Sequence, residues 1–229
     1  MLLTGMALAC AACSQEEAPA EKVVAAAEEI VAPSPERAQA TGKWAPQDTC
    51  GKVAGAVLFR RQLAAAVEAR DADVFAALAA EDVKLDFGGG AGRAELRRRL
   101  ADETRGLWEE LDAILALGCS ANKQGGVTIP WYFDQDLGRI DPFEAWLVTG
   151  EAVPVFDGPG ADAARTDAVS WEMVQVAMVD PEMARQQAVL PDGTTGYVAL
   201  DRLRSVIDYR LVASSRNGRW RITSFVAGD

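Results

Sequence analysis

The stretch Pro191-Asp192-Gly193-Thr194-Thr195-Gly196-Tyr197-Val198-Ala199-Leu200-Asp201-Arg202-Leu203-Arg204-Ser205 decides how the second half of this chain is read. Pro191-Asp192-Gly193 is a turn signal, because Pro presets the backbone while Asp and Gly tolerate the tight bend. Gly196-Tyr197-Val198 is a short strand after it. Working outward, similar signals run from about residue 127. Val127-Thr128-Ile129 and Trp131-Tyr132-Phe133 flank Pro130, and Ala145-Trp146-Leu147-Val148 and Ala152-Val153-Pro154-Val155-Phe156 follow. Apolar residues alternate over 169–179 around Trp171, the mark of a half-buried strand. Residues 209–214 and 220–226 flank Asn217-Gly218, a strong signal for a tight turn, and predict a terminal hairpin.

Upstream, residues 50–118 read as helices with one strand. Val53, Val57, Leu63 and Val67 recur near helical spacing. Asp71 is placed to cap a second helix carrying Val74, Phe75 and Leu78. Val83-Lys84-Leu85-Asp86-Phe87 alternates as a strand does, and Gly88 to Gly92 turns the chain. Glu95 opens a basic helix, and Leu107-Trp108-Glu109-Glu110-Leu111-Asp112-Ala113-Ile114-Leu115-Ala116-Leu117 is strongly amphipathic. Gly118 stands where a helix C-cap is expected.

The front of the chain carries an address. An apolar run with Leu2, Leu3, Met6, Ala7, Leu8 and Ala9 ends in Cys10-Ala11-Ala12-Cys13 and turns acidic at Ser14-Gln15-Glu16-Glu17. This resembles the end of a bacterial lipoprotein signal peptide. The resemblance implies lipidation at Cys13, with Cys10 the rival position. Signal peptides begin with a basic segment, yet no Lys or Arg precedes Lys22, so the true start is expected upstream. The run is too short for a membrane-spanning helix, which needs about 20 apolar residues. Residues 14–45, rich in Ala, Glu and Pro, cannot bury enough apolar area to offset their ordering entropy. They read as a disordered tether with a reach of about 30 Å.

Composition narrows the chemistry. The chain has 229 residues, a formal net charge of −11 and no His. The charge argues against nucleic-acid partners, which select for basic patches. Without His there is no imidazole base and no Ser-His-Asp or Cys-His nucleophile system. Cys50 and Cys119 remain for the mature part. In an oxidising compartment they read as a disulfide, worth about 4 kcal/mol in the chain-entropy model; the other reading is two buried thiols.

Four segments in the second half carry a family resemblance: Gly150 with Val153-Pro154-Val155, Pro159-Gly160-Ala161-Asp162-Ala163, Val174-Gln175-Val176, and the run from Asp192 to Ser205. Together they resemble a bacterial SH3 domain, a small barrel of short strands, over about a quarter of the chain. Residues 218–229, Leu85-Asp86-Phe87-Gly88-Gly89 and Leu107-Trp108-Glu109-Glu110-Leu111 are similar to exported proteins that join a helical N-terminal part to such a domain. The resemblance implies binding of cell-wall peptides, in a groove lined by Phe156, Trp171 and Tyr197. The same three aromatics also read as packing residues.

Three other patterns carry less. Gly88 to Gly92 fits neither nucleotide-binding glycine motif and reads as a turn. Asp134-Gln135-Asp136-Leu137-Gly138 has its glycine one position early for a calcium loop and no Glu at the twelfth position. Arg97-Arg98-Arg99 spreads round a helix and makes no single-sided patch.

The sequence therefore predicts an α+β lipoprotein: a signal at 1–13, a tether at 14–45, a helical N-terminal domain at 46–126, and an SH3-like barrel with a terminal hairpin at 127–229. It would sit on the periplasmic face of the outer membrane rather than the inner membrane. Its expected role is non-catalytic binding or scaffolding, with peptidoglycan or an envelope protein as partner and no cofactor or metal. Two alternatives are an envelope hydrolase using a carboxylate pair and a small-molecule pocket. The latter rests on residues 71–100, which resemble the opening of the nuclear-transport-factor-2-like fold.

Overall fold

The computed structural model describes residues 40–228; Cys10 and Cys13, the signal and most of the tether lie outside the described residues. Thirteen strands form two large sheets, with four short α-helices among the described residues. The expected helical N-terminal domain followed by a small barrel is therefore corrected.

The first sheet has six strands in the order β1-β3-β4-β12-β13-β2. These are β1 (Gln47–Asp48), β2 (Ala79–Lys84), β3 (Gly118–Ala121), β4 (Val127–Ile129), β12 (Arg210–Arg216) and β13 (Arg219–Val226). The strands expected to stand as a terminal hairpin occupy its middle. Their Asn217-Gly218 turn is present, with φ of 53° and 75°. β12 pairs with β4, and β13 runs parallel to β2, so early and late segments of the described residues share one sheet. A division at 126/127 falls inside it, because β3 pairs with β4.

The helices α1 (Ala56–Glu68), α2 (Ala72–Ala77), α3 (Arg93–Leu100) and α4 (Leu107–Ala116) contribute to one core with this sheet. Asp71 caps α2: its Oδ1 accepts the Asp73 and Val74 amides at 3.0 and 2.9 Å. α1 buries Phe59, Leu63, Ala66 and Val67, while Val57 is 45% exposed. The helix turns Phe59 inward because that ring stacks on Trp220 of β13, 5.5 Å between centroids. α4 buries Leu107, Leu111 and Ile114. Gly118 follows its C-cap with φ of 82°, and any Cβ there would collide with the Gln47 backbone. That close approach lets β1 pair with β3. The expected bond between Cys50 and Cys119 is present, with a Cα–Cα distance of 5.7 Å across a sequence separation of 69.

The second sheet has seven strands in the order β11-β5-β8-β9-β10-β6-β7. These are β5 (Ala145–Val148), β6 (Val153–Phe156), β7 (Arg165–Val169), β8 (Met173–Gln175), β9 (Arg185–Val189), β10 (Thr195–Ala199) and β11 (Leu203–Ser205). All seven fall between β4 and β12 in the chain, so the second sheet is an excursion from the first. It leaves and returns through neighbouring strands: β5 pairs with β11, and the Val206 amide donates to the Ala145 carbonyl at 3.0 Å.

A cluster of Trp44, Leu117, Trp131, Tyr132, Ala145, Leu147, Met173 and Val206 joins residues of both parts. Residues 131–134 form a 3₁₀ turn rather than the expected strand, which buries Trp131 and Tyr132 together. Trp44 also lies in this cluster at 4% exposure, so the chain before β1 is packed from this point, short of the tether's expected end at residue 45. The Thr41 amide and hydroxyl donate to Glu151 at 2.6 and 2.7 Å, and these bonds hold the Glu151 carboxyl below its usual range. No helix among the described residues is long and apolar enough to cross a membrane.

Candidate functional site

The opening stretch builds a face on the second sheet. β10 alternates, with Gly196 and Val198 buried and Tyr197 half-buried on the opposite side. Tyr197 pairs directly with Phe156 of β6. Opposed residues on adjacent strands stand close enough for aromatic contact. Gly196 makes the pairing possible, since a Cβ there would overlap Cγ1 of Val155.

Arg185 completes the face. It pairs with Ala199, so it lies on the same side as Tyr197, and its guanidinium carbon sits 3.6 Å from the Phe156 ring centroid. That is close cation–π geometry. Its Nη1 also donates to the Gly160 carbonyl, which fixes the guanidinium over the ring.

A shallow depression of about 620 Å³ meets this face at Arg185; Pro181, Glu182, Met183, Arg185 and Asp201 are among its lining residues, and neither Phe156 nor Tyr197 is. Gln186 holds one wall in place. Its side chain is 3% exposed, accepts the Asp180 amide at 2.9 Å, and donates to the Asp180 and Met183 carbonyls at 2.7 and 2.8 Å. The other wall is tied by the Leu200 amide, which donates to the Ala184 carbonyl at 2.9 Å. The depression is thus shaped before any ligand arrives.

Of the three expected groove aromatics, the structure brings Phe156 and Tyr197 together and places Trp171 elsewhere. Trp171 packs against the Trp44 cluster, with φ of 46°, and its carbonyl accepts the Trp44 amide at 2.9 Å. Sequence reasoning missed Arg185 and Gln186. Burial alternates along Arg185–Val189, with Gln186 and Ala188 inward, but Arg-Gln-Gln-Ala-Val shows no apolar alternation, so the sequence held no local signal for the pair.

A polar constellation lies where α4 meets the second sheet. Arg204 of β11 donates to Glu110 at 2.9 Å and sits 3.4 Å from Asp208. Beside it, burial pushes the Tyr132 phenol up to about 12, with Arg204 pulling the other way. Both carboxylates share one guanidinium, an arrangement that locks elements together.

The weaker sequence patterns also find places. In the glycine-rich loop, Asp86 Oδ1 accepts the Gly88 and Gly90 amides at 2.8 and 2.7 Å, so the loop closes on its own carboxylate instead of cradling a phosphate. The three arginines of α3 each meet a carboxylate: Arg97 meets Asp73, Arg98 meets Glu95, and Arg99 meets both Glu95 and Asp86. Those two arginines hold the Glu95 carboxyl down at about 2. Asp48 lies near the two cysteines, but both sulfurs are bonded to each other and make no metal ligand set. Asp134 accepts the Ser120 hydroxyl at 2.5 Å, and the Asp136 carboxylate accepts the Gly138 amide at 2.8 Å. No protein-family model matches the chain, and no curated protein matches it.

Proposed function

We propose that the protein is a non-catalytic binding module of the bacterial cell envelope, anchored through Cys13, which takes the stem peptides of peptidoglycan. The observation that supports the reading is Arg185, which lines the depression and also lies over the Phe156 ring beside Tyr197. Its chemistry suits a short zwitterionic peptide. Arg185 offers a guanidinium to a carboxylate, Glu182 and Asp201 offer carboxylates to an amine, and the paired rings supply apolar contact. Half-buried aromatics beside an Arg are also the residue types that dominate binding energy at interfaces. The buried Cys50–Cys119 bond supports an oxidising compartment, where disulfides persist.

The test is co-sedimentation of the purified protein with purified peptidoglycan sacculi. Retention is expected, with a roughly tenfold loss of affinity in Tyr197→Ala and Phe156→Ala. Trp171→Ala should leave retention unchanged, because that ring packs elsewhere. Failure of the unmodified protein to sediment would overturn the reading.

A further inference from the structure

Arg185 is held on two sides and open on a third. Its guanidinium rests on the Phe156 ring, 3.6 Å from the guanidinium carbon to the centroid. At that separation an edge-on approach would push a nitrogen into the ring, so the flat face meets it and the edges stay clear. Nη1 donates to the Gly160 carbonyl. Nε and Nη2 carry no hydrogen bond or ion pair among the described residues. Their N–H groups share one edge and point the same way, the fork that takes both oxygens of a carboxylate.

We infer that Arg185 reads the free terminal carboxylate of a stem peptide, so that the protein selects stems whose last carboxyl has not been consumed in a cross-link. The inference rests on the peptide-binding reading above and names the part of the peptide that the site distinguishes.

The surroundings of the fork support this role. Arg185 is half-buried and lines the depression. Ala184 precedes it and Ala199 pairs with it, so two of its neighbours in the depression are short and leave room beside the fork. Glu182 and Asp201 line the same depression without forming an ion pair with Arg185. They repel a carboxylate, and Arg185 is the lining residue that stabilises one. A terminal carboxylate brings two oxygens and a full charge. A cross-linked end carries an amide there, with one carbonyl oxygen and no charge, so half of the fork goes unmatched.

The fork is also set before binding. The loop that carries Gly160 closes on itself: the Asp157 amide donates to the Ala164 carbonyl at 3.0 Å, and Asp157 Oδ1 accepts the Ala164 amide at 2.9 Å. The Gly160 carbonyl also accepts the Ala163 amide at 3.2 Å. With the ring beneath and this loop beside it, the arginine has little rotamer freedom left to lose.

The experiment is a calorimetric titration of the full chain with the stem tetrapeptide L-Ala-γ-D-Glu-meso-diaminopimelate-D-Ala and with the same peptide closed as its C-terminal amide. The free acid is expected to bind about tenfold more tightly than the amide. In Arg185→Gln the two should bind alike, and Arg185→Lys should restore only part of the preference, because an ammonium cannot grip both oxygens in a fork. A third peptide, amidated at the α-carboxylate of its Glu, should bind as the free acid does. If this peptide loses the tenfold instead, the fork reads an internal carboxylate and the inference is overturned. Equal affinity of acid and amide for the unmodified protein overturns it too, with no variant needed. Retention of that same protein on sacculi would then leave the peptide-binding reading standing, whereas loss of both retention and peptide binding would remove the two together.

Discussion

Tyr132 shows how a single side chain reports on the junction it fills. The folded state favours its neutral phenol, so its pKa rises from 10.0 to about 12. Below the ordinary phenol pKa the associated stability is fully present. As pH climbs from about 10 to 12, the unfolded chain ionises while the folded one resists, and roughly 3 kcal/mol is lost. Tyr132→Phe should remove this component of alkaline unfolding, and an absorbance titration at 295 nm should lose its last-titrating phenol. Residue-scale detail was only partly legible. Asp71 was readable because a cap acts on amides two and three positions away. Arg185 over Phe156 was not, because the two meet only once β9, β10 and β6 are aligned side by side. Helical spacing points to Val57 rather than Phe59, because the partner that draws Phe59 inward, Trp220, lies 161 positions later in the sequence.

At the scale of elements, the meeting of β10 and β6 depends on a missing side chain. Gly196→Ala would drive a methyl into Val155 and push the strands apart. A cost of about 1–3 kcal/mol is expected from overpacking, readable as a lower urea midpoint, together with weaker retention on peptidoglycan as Tyr197 and Phe156 separate. Turns and strands such as Asn217-Gly218 and Gly196-Tyr197-Val198 were legible because their signals are local. Trp131-Tyr132-Phe133 misled, because three adjacent apolar rings suit a strand as well as a buried 3₁₀ turn. The strand around Val83 begins earlier than its alternation suggests, since β2 pairs with β13 from Ala79 onward.

For the whole molecule, the Cys50–Cys119 bond ties the 3₁₀ turn after β1 (residues 50–52) to β3 across 69 positions. In the chain-entropy model a loop of this size contributes about 4 kcal/mol. For a chain of this length that corresponds to roughly 10 °C in Tm, a difference that calorimetry with and without reductant should show. The bond was legible from two cysteines and the expectation of an oxidising compartment. The architecture was not, because alternation identifies a strand without naming its sheet. Segments read as a helical half and a β half are interleaved, and the final strands complete a sheet begun near residue 47. One consequence follows from the hydrogen bond between Val206 and Ala145, where the seven-stranded sheet is entered and left. A loop whose ends already touch adds little closure entropy as it lengthens. The six-stranded part is therefore a socket and the seven-stranded sheet a cartridge: residues 145–205 can be exchanged without reconnecting the body, provided that Ala145, Leu147, Met173 and Arg204, which pack on it or pair with it, are kept.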